Sequence, residues 1–201
     1  FNSTIKSAFD MALYDIAAKE AEIPLYKFLH GAKKEIETDL TIGIDTPRNM
    51  AAIAREYKEK GVRIIKIKLG KNGNEDIERV KQIRLAAGND IKLRIDANQG
   101  WSFVSAVLVL QEIARYDIQF CEQPLRYWDD YRLPELRKQS PIKIMADESV
   151  FNHHDAVRLI AAGGCDYVNI KFSKSGGILE AIKINEVCEE NLVPCMMGGM
   201  L

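Results

Sequence analysis

No stretch of this sequence approaches the ~18 consecutive apolar residues a membrane span needs, and its start lacks the basic, apolar, then small-residue order of a secretory leader. Excess charge of one sign is lacking too. Lys and Arg number 28 against 29 Asp and Glu, a formal net charge of -1, which excludes the basic face that nucleic acid or an anionic membrane selects. Cysteines are few. Cys121, Cys165, Cys188 and Cys195 form no CxxC pair and no His/Cys cluster, which excludes a zinc motif and a disulfide framework. No GxGxxG follows the first strand, so the usual dinucleotide fingerprint is absent as well. These exclusions predict a cytoplasmic protein whose partner is a small molecule; a homo-oligomer is also expected. Its 201 residues suffice for one core or for part of a larger barrel-type domain.

What is present is alternation. Short β-branched runs read DLTIGID (39–45), RIIKIKL (63–69), IKLRIDAN (91–98), IQFCEQP (118–124), PIKIMADES (141–149), YVNIKFS (167–173) and VPCMMGG (193–199). Helical periodicity fills the gaps, as in NEDIERVKQIRLAAG and SFVSAVLVLQEIARY, with caps expected near Asn74 and Ser102. Strict alternation means parallel strands joined by right-handed crossovers. Asp96, Glu122, Asp147 and Lys171 follow one another at intervals of 26, 25 and 24 residues, close to the roughly 30 per unit of a (β/α)8 barrel. The expected class is therefore α/β, a TIM-type barrel with seven strands present. Its eighth strand is expected to lie outside this sequence. Residues 1–37 read as a helical lead-in and 38–201 as the barrel domain. In the lead-in, Ile5, Phe9, Ala12, Leu13 and Ile16 share one helical stripe, expected to pack into the core.

Side chains two apart on a strand point the same way. Lys66 and Lys68 thus oppose Ile65 and Ile67; Asp96 and Asn98 oppose Ile95 and Ala97; Asn169 and Lys171 oppose Val168 and Ile170. One face is apolar and the other ionisable. In a barrel the ionisable face points to the axis, near the carboxyl ends of the strands where such enzymes place their sites. Buried charges must compensate one another or bind an ion. Asp96, Glu122 and Asp147 come from successive strands, and three converging carboxylates call for a hard cation, one Mg²⁺. Glu148, of opposite parity, is expected to back the ligands rather than to bind the ion. Strands two and six of an eight-strand barrel are diametrically opposite, which would set Lys68 against Lys171 as a two-base pair. Lysine is a poor base at its ordinary pKa of ~10.4, and a like charge such as Lys66, with the cation, lowers it. Lys66, Asn98 and Asn169 are candidates for tuning or substrate contact. Lys174, in the following loop, is not expected to be a base.

The motifs KIKLG, RIDANQGW, CEQPL, MADES and NIKFSKSGG, in this order and spacing, resemble the enolase superfamily, and within it the muconate lactonizing enzyme subgroup. The segment ALYDIAAKEAEIPLYKFLHGA is similar to that family's lead-in to its barrel. The resemblance implies Asp96, Glu122 and Asp147 as Mg²⁺ ligands, Lys68 and Lys171 as the acid/base pair, and Lys66 as the first lysine of a KxK motif. The mandelate racemase subgroup would show a histidine on strand seven, and VPCMMGGML has none.

TIGID and PCMMGGML further resemble the dipeptide epimerase branch, which interconverts L-Ala-L-Glu and L-Ala-D-Glu by a 1,1-proton transfer through an enediolate. The resemblance implies an Asp-x-Asp after strand eight and an N-terminal α+β capping domain, both absent from this sequence. The same two-lysine site also serves muconate cycloisomerase, o-succinylbenzoate synthase and N-acylamino acid racemases. A non-catalytic barrel is the alternative of another class.

Overall fold

The computed structural model describes residues 2–199. The chain opens with α1 (Ser3–Glu20), α2 (Leu25–Phe28), β1 (Leu40–Ile42) and α3 (Pro47–Glu59). Next come β2 (Ile64–Lys68), α4 (Gly73–Ala87), β3 (Lys92–Asp96), α5 (Phe103–Ile113), β4 (Ile118–Glu122), α6 (Leu133–Gln139) and β5 (Ile144–Ala146). It ends with α7 (His153–Ala161), β6 (Tyr167–Ile170), α8 (Phe172–Ser175), α9 (Ile178–Glu190) and β7 (Cys195–Met197). All seven expected strands form, each shorter than its apolar run, and the alternation with helices is as expected. The motif PCMMGGML extends to residues 200 and 201, which lie outside the described residues.

The chain divides into two compact units. The larger comprises residues 38–149 with 159–167. Within it β1 to β5 pair parallel, each with its sequence neighbour. Ile65, Ile67, Leu93 and Ile95 of the sheet lose all contact with water, as do Val80 and Ile83 of α4 and Leu110 and Ile113 of α5, each contributing roughly 1.5–3 kcal/mol of apolar burial. Helix starts follow their caps: Thr46 Oγ1 accepts from Asn49 N (3.3 Å), and Ser102 Oγ from Ser105 N (3.2 Å). The cap of α4 is Asn72 rather than Asn74. Asn72 Oδ1 accepts from both Asn74 N and Glu75 N, because Asn72 keeps extended backbone while Asn74 is already helical.

The smaller unit comprises the residues up to 37, 150–158 and those from 168 onward. β6 and β7 pair parallel here, Asn169 opposite Met196. Asp10 of α1 accepts from Ile178 N (2.5 Å) and Leu179 N (3.4 Å) at the start of α9. Gly177, at φ +120°, is required there because a Cβ would collide with the Asp10 carboxylate. One expectation is corrected. The stripe on α1 is not core: Phe9 is 70% exposed and Leu13 65%, with Ile5 and Ile16 also exposed, whereas Ser7 and Ala18 are buried. Small residues allow close approach on that helix, and the large apolar side chains lie on its other side. Among the described residues no helix is long and apolar enough to cross a membrane.

Candidate active site

Register brings the inward-facing residues of the larger unit to one level. Lys68 of β2 lies opposite Asp96 of β3, and Asp96 opposite Glu122 of β4. All sit at the carboxyl ends of their strands, and strand parity directs them away from the isoleucine layer. Lys68 Nζ donates to Asp96 Oδ2 (2.8 Å) and Asn98 Oδ1 (2.7 Å). Lys66, one pleat deeper, bridges two acids, with Nζ at 2.9 Å from Asp96 Oδ2 and 2.7 Å from Glu122 Oε2. Asp96, Glu122 and Asp147 are each 1% exposed or less. Asp147 follows β5 directly, so strand five delivers the third acid to the same end of the sheet.

Burial and mutual repulsion dominate the electrostatics. Burial raises the Glu122 carboxyl to about 7, and the charges of Asp96 and Asp147 add to the rise against the pull of Lys66. Glu148 is pushed up by burial and by the charge of Asp147. Lys66 itself is held above its ordinary value: burial favours the neutral amine, and Asp96 and Glu122 outweigh it. Lys66 is thus a fixed cation inside an acidic cluster.

That cluster has the donor chemistry of a hard divalent cation. Four carboxylates face two ammonium groups, and Glu148 Oε2 is buried without a hydrogen-bond partner. All the donors are oxygen, as Mg²⁺ requires. Among the described residues no three acidic, histidine or cysteine side chains already enclose a cation position; Lys66 Nζ bridges Asp96 and Glu122. The residues fit the ion in chemistry and charge.

Backbone strain marks the same place. Asn98, Gln99 and Gln123 adopt φ of 41°, 64° and 35°, which costs roughly 1 kcal/mol or more for each non-glycine residue. The turn after β3 lets Asn98 N donate to Asp96 Oδ1 (2.9 Å) and places Asn98 Nδ2 and Gln99 Nε2 on Glu148 Oε1 at 3.4 and 3.3 Å. Glu148 therefore contacts the cluster through two amides.

Gln123 is a residue whose role the sequence alone did not disclose. Fully buried, it accepts from Asp147 N (2.9 Å) and Ser149 N (3.2 Å) and donates to Ser149 Oγ (2.8 Å) and Leu125 O (2.9 Å). It sets the backbone that carries Asp147. The available signal was an amide directly after an inward acid and before Pro124.

In the smaller unit, Asn169 lies in β6 and Lys171 directly after it, 0% and 8% exposed. Lys171 O accepts from Lys174 N, Ser175 N and Ser175 Oγ, so α8 starts on Lys171 and fixes its backbone. Lys174 is buried and donates from Nζ to Asn169 O (2.8 Å).

The sequence profile described as Enolase C-terminal domain-like matches residues 49–201. The chain belongs to that family. Over 201 residues it is 49% identical to D-Ala-D/L-Ala epimerase of Cytophaga hutchinsonii, covering 100% of this chain and 55% of that protein. It is 45% identical over 200 residues to the hydrophobic dipeptide epimerase of Enterococcus faecalis, covering 100% of this chain and 56% of that one. The solved structure of the Cytophaga hutchinsonii dipeptide epimerase, complexed with Mg and the dipeptide D-Ala-L-Val, matches with a TM-score of 0.98 over 100% of this chain and 55% of that one. The chain spans about half the length of the curated relatives it matches. The α/β barrel-type fold of the enolase C-terminal domain is thus the fold of this chain.

Proposed function

We propose that the protein carrying this chain is a Mg²⁺-dependent dipeptide epimerase that inverts an α-carbon by 1,1-proton transfer. The observation that carries the reading is the ion-pair chain from half-buried Lys68 through buried Asp96, Lys66 and Glu122, an amine held beside a carboxylate cluster whose charge calls for a divalent cation. Relatives of 49% and 45% identity bear dipeptide epimerase names, and one was solved with Mg and a dipeptide. Asp96, Glu122 and Asp147 would hold the ion, with Glu148 behind them.

When bound, Mg²⁺ supplies the positive charge that makes a proton beside a carboxylate acidic enough for an amine to remove. Lys68 and Lys171 would be the acid/base pair: one amine takes the α-proton and the other, protonated, returns a different proton, which inverts the centre. Hydrogen bonds to Asp96 and Asn98 orient the Lys68 amine before substrate arrives. Lys66 stays charged throughout, holding Asp96 and Glu122 together. Asn98 and Asn169 would supply neutral hydrogen-bonding groups for substrate. The balanced charge and four cysteines without a disulfide agree with a cytoplasmic enzyme acting on a small molecule.

The test is α-proton exchange in D₂O with Mg²⁺, followed by NMR. L-Ala-L-Glu and dipeptides with an apolar second residue are offered side by side. Exchange with inversion for at least one dipeptide is expected; no exchange for any of them, alongside turnover of an o-succinylbenzoate precursor, overturns the reading.

A further inference from the structure

Outside the acidic cluster, Asp76 is another buried carboxylate. Asp76, in the first turn of α4, is 0% exposed and accepts three hydrogen bonds. Its Oδ2 takes Gly70 N (3.0 Å) and Trp101 Nε1 (2.9 Å), and its Oδ1 takes Arg79 Nη1 (2.8 Å). Arg79, itself 5% exposed, sends Nε to Asp45 O (2.8 Å). One ion pair therefore joins the segments that follow β1, β2 and β3, at the carboxyl ends of three consecutive strands.

Those segments are in close contact. Gly70 lies two residues after Lys68 at φ +103°, and a Cβ there would strike the Ala97 carbonyl; a Cβ on Gly100 would strike Gly70. Leu69 N donates to Asp96 O (2.8 Å). With backbones this tight, moving Gly70 moves Lys68 relative to Asp96 and Asn98, the two groups that hold its amine. Asp76 is the side chain that grips Gly70 N and, through Trp101, the far end of the β3 turn.

We infer that Asp76, through Gly70 and Trp101, is a positioning residue that holds Lys68 in line for proton transfer. A core ion pair serving stability alone needs Arg79 and no more. The carboxylate instead spends its second oxygen on the two turns that flank the base. A buried charge with three satisfied hydrogen bonds is rigid, and rigid support is what a base must have when a displacement of about 1 Å costs on the order of a hundredfold in rate.

The inference rests on the two-lysine reading above, and the experiment separates the two. Trp101→Phe keeps the ring and deletes the indole N–H. Asp76→Asn is the second variant; it presents an amide N–H₂ to Arg79 and is the one more prone to misfold. In the purified full-length protein with Mg²⁺, exchange of the α-proton is timed for each epimer of a dipeptide substrate separately. Trp101→Phe is expected to slow exchange for the epimer served by Lys68 by about tenfold more than for the epimer served by Lys171, with KM changed by less than about threefold. Equal slowing of both epimers, or of neither, overturns the inference. Competitive amine labelling read by mass spectrometry needs no turnover. Lys68 is expected to label several-fold faster in Trp101→Phe while Lys171 is unchanged; identical Lys68 labelling overturns the inference, even if wild-type exchange fails and the epimerase reading falls with it.

Discussion

Lys66 Nζ stands 2.7 Å from Glu122 Oε2, an ion pair between β2 and β4 that closes over the strand between them. The same amine reaches Asp96 at 2.9 Å, so one cation joins acids from two strands. Removing one partner of a buried pair is the costly case, typically about 3–5 kcal/mol, because the remaining charge loses its compensation. Lys66→Met is therefore expected to destabilise the Mg²⁺-free protein by about that amount in urea unfolding. Added Mg²⁺ should restore part of the loss, since a ligand bound only by the folded state stabilises it. Unchanged stability with EDTA present would show that Asp96 and Glu122 do not depend on Lys66.

The two proposed bases give a sharper pair of expectations. Lys68→Ala and Lys171→Ala should each abolish inversion, with a loss of at least about 10²–10⁴ in kcat, the usual contribution of a positioned acid or base. Each variant should still exchange the proton on the face served by the lysine that remains. EDTA should stop exchange on both faces. Full inversion by either variant would remove the two-base assignment.

Gln123 is expected to matter without touching substrate. Gln123→Ala leaves Asp147 N and Ser149 N buried without their acceptor, at about 1–3 kcal/mol for each unsatisfied group. Because Asp147 rides on that backbone, Mg²⁺ affinity measured by calorimetry should fall together with stability. Gln123→Glu keeps an acceptor but loses the donors to Ser149 Oγ and Leu125 O, and should lose less affinity than the alanine variant.

The contrast between Lys68 and Gln123 shows what was legible beforehand. Lys68, Asp96 and Glu122 could be read because strand parity sorts faces and a repeat near 25 residues sorts strand ends, and the register sets them level. Parity places Glu148 behind the ligands but does not disclose its amide partners Asn98 and Gln99, because β5 stops at Ala146 and period two has no meaning past a strand end. Gln123 and Asp76 act through hydrogen bonds between turns, which leave no periodic trace. Asn72 and Asn74 are both acceptable caps in KNGNED, and only the backbone of Asn72 decides between them. The stripe on α1 was recognised as apolar, yet periodicity identifies a face and not what covers it.

A pH expectation concerns the smaller unit. Glu180 of α9 accepts from His153 N (2.9 Å), and its Oε1 lies 2.6 Å from His153 Nδ1, so it caps the first turn of α7. Burial alone would raise the Glu180 carboxyl; the two hydrogen bonds from His153 outweigh it and hold the group below its ordinary 4.5. An acid whose pKa is lower folded than unfolded contributes stability above the unfolded value. That contribution is complete above about pH 4.5 and disappears as pH falls through the lowered folded value. Glu180→Ala should therefore cost about 1–2 kcal/mol near neutrality, the usual size of a lost cap. The gap between wild type and variant in urea unfolding should close as pH is taken below 4. A gap that persists unchanged in acid would show that the carboxylate contributes through packing rather than through its charge and hydrogen bonds.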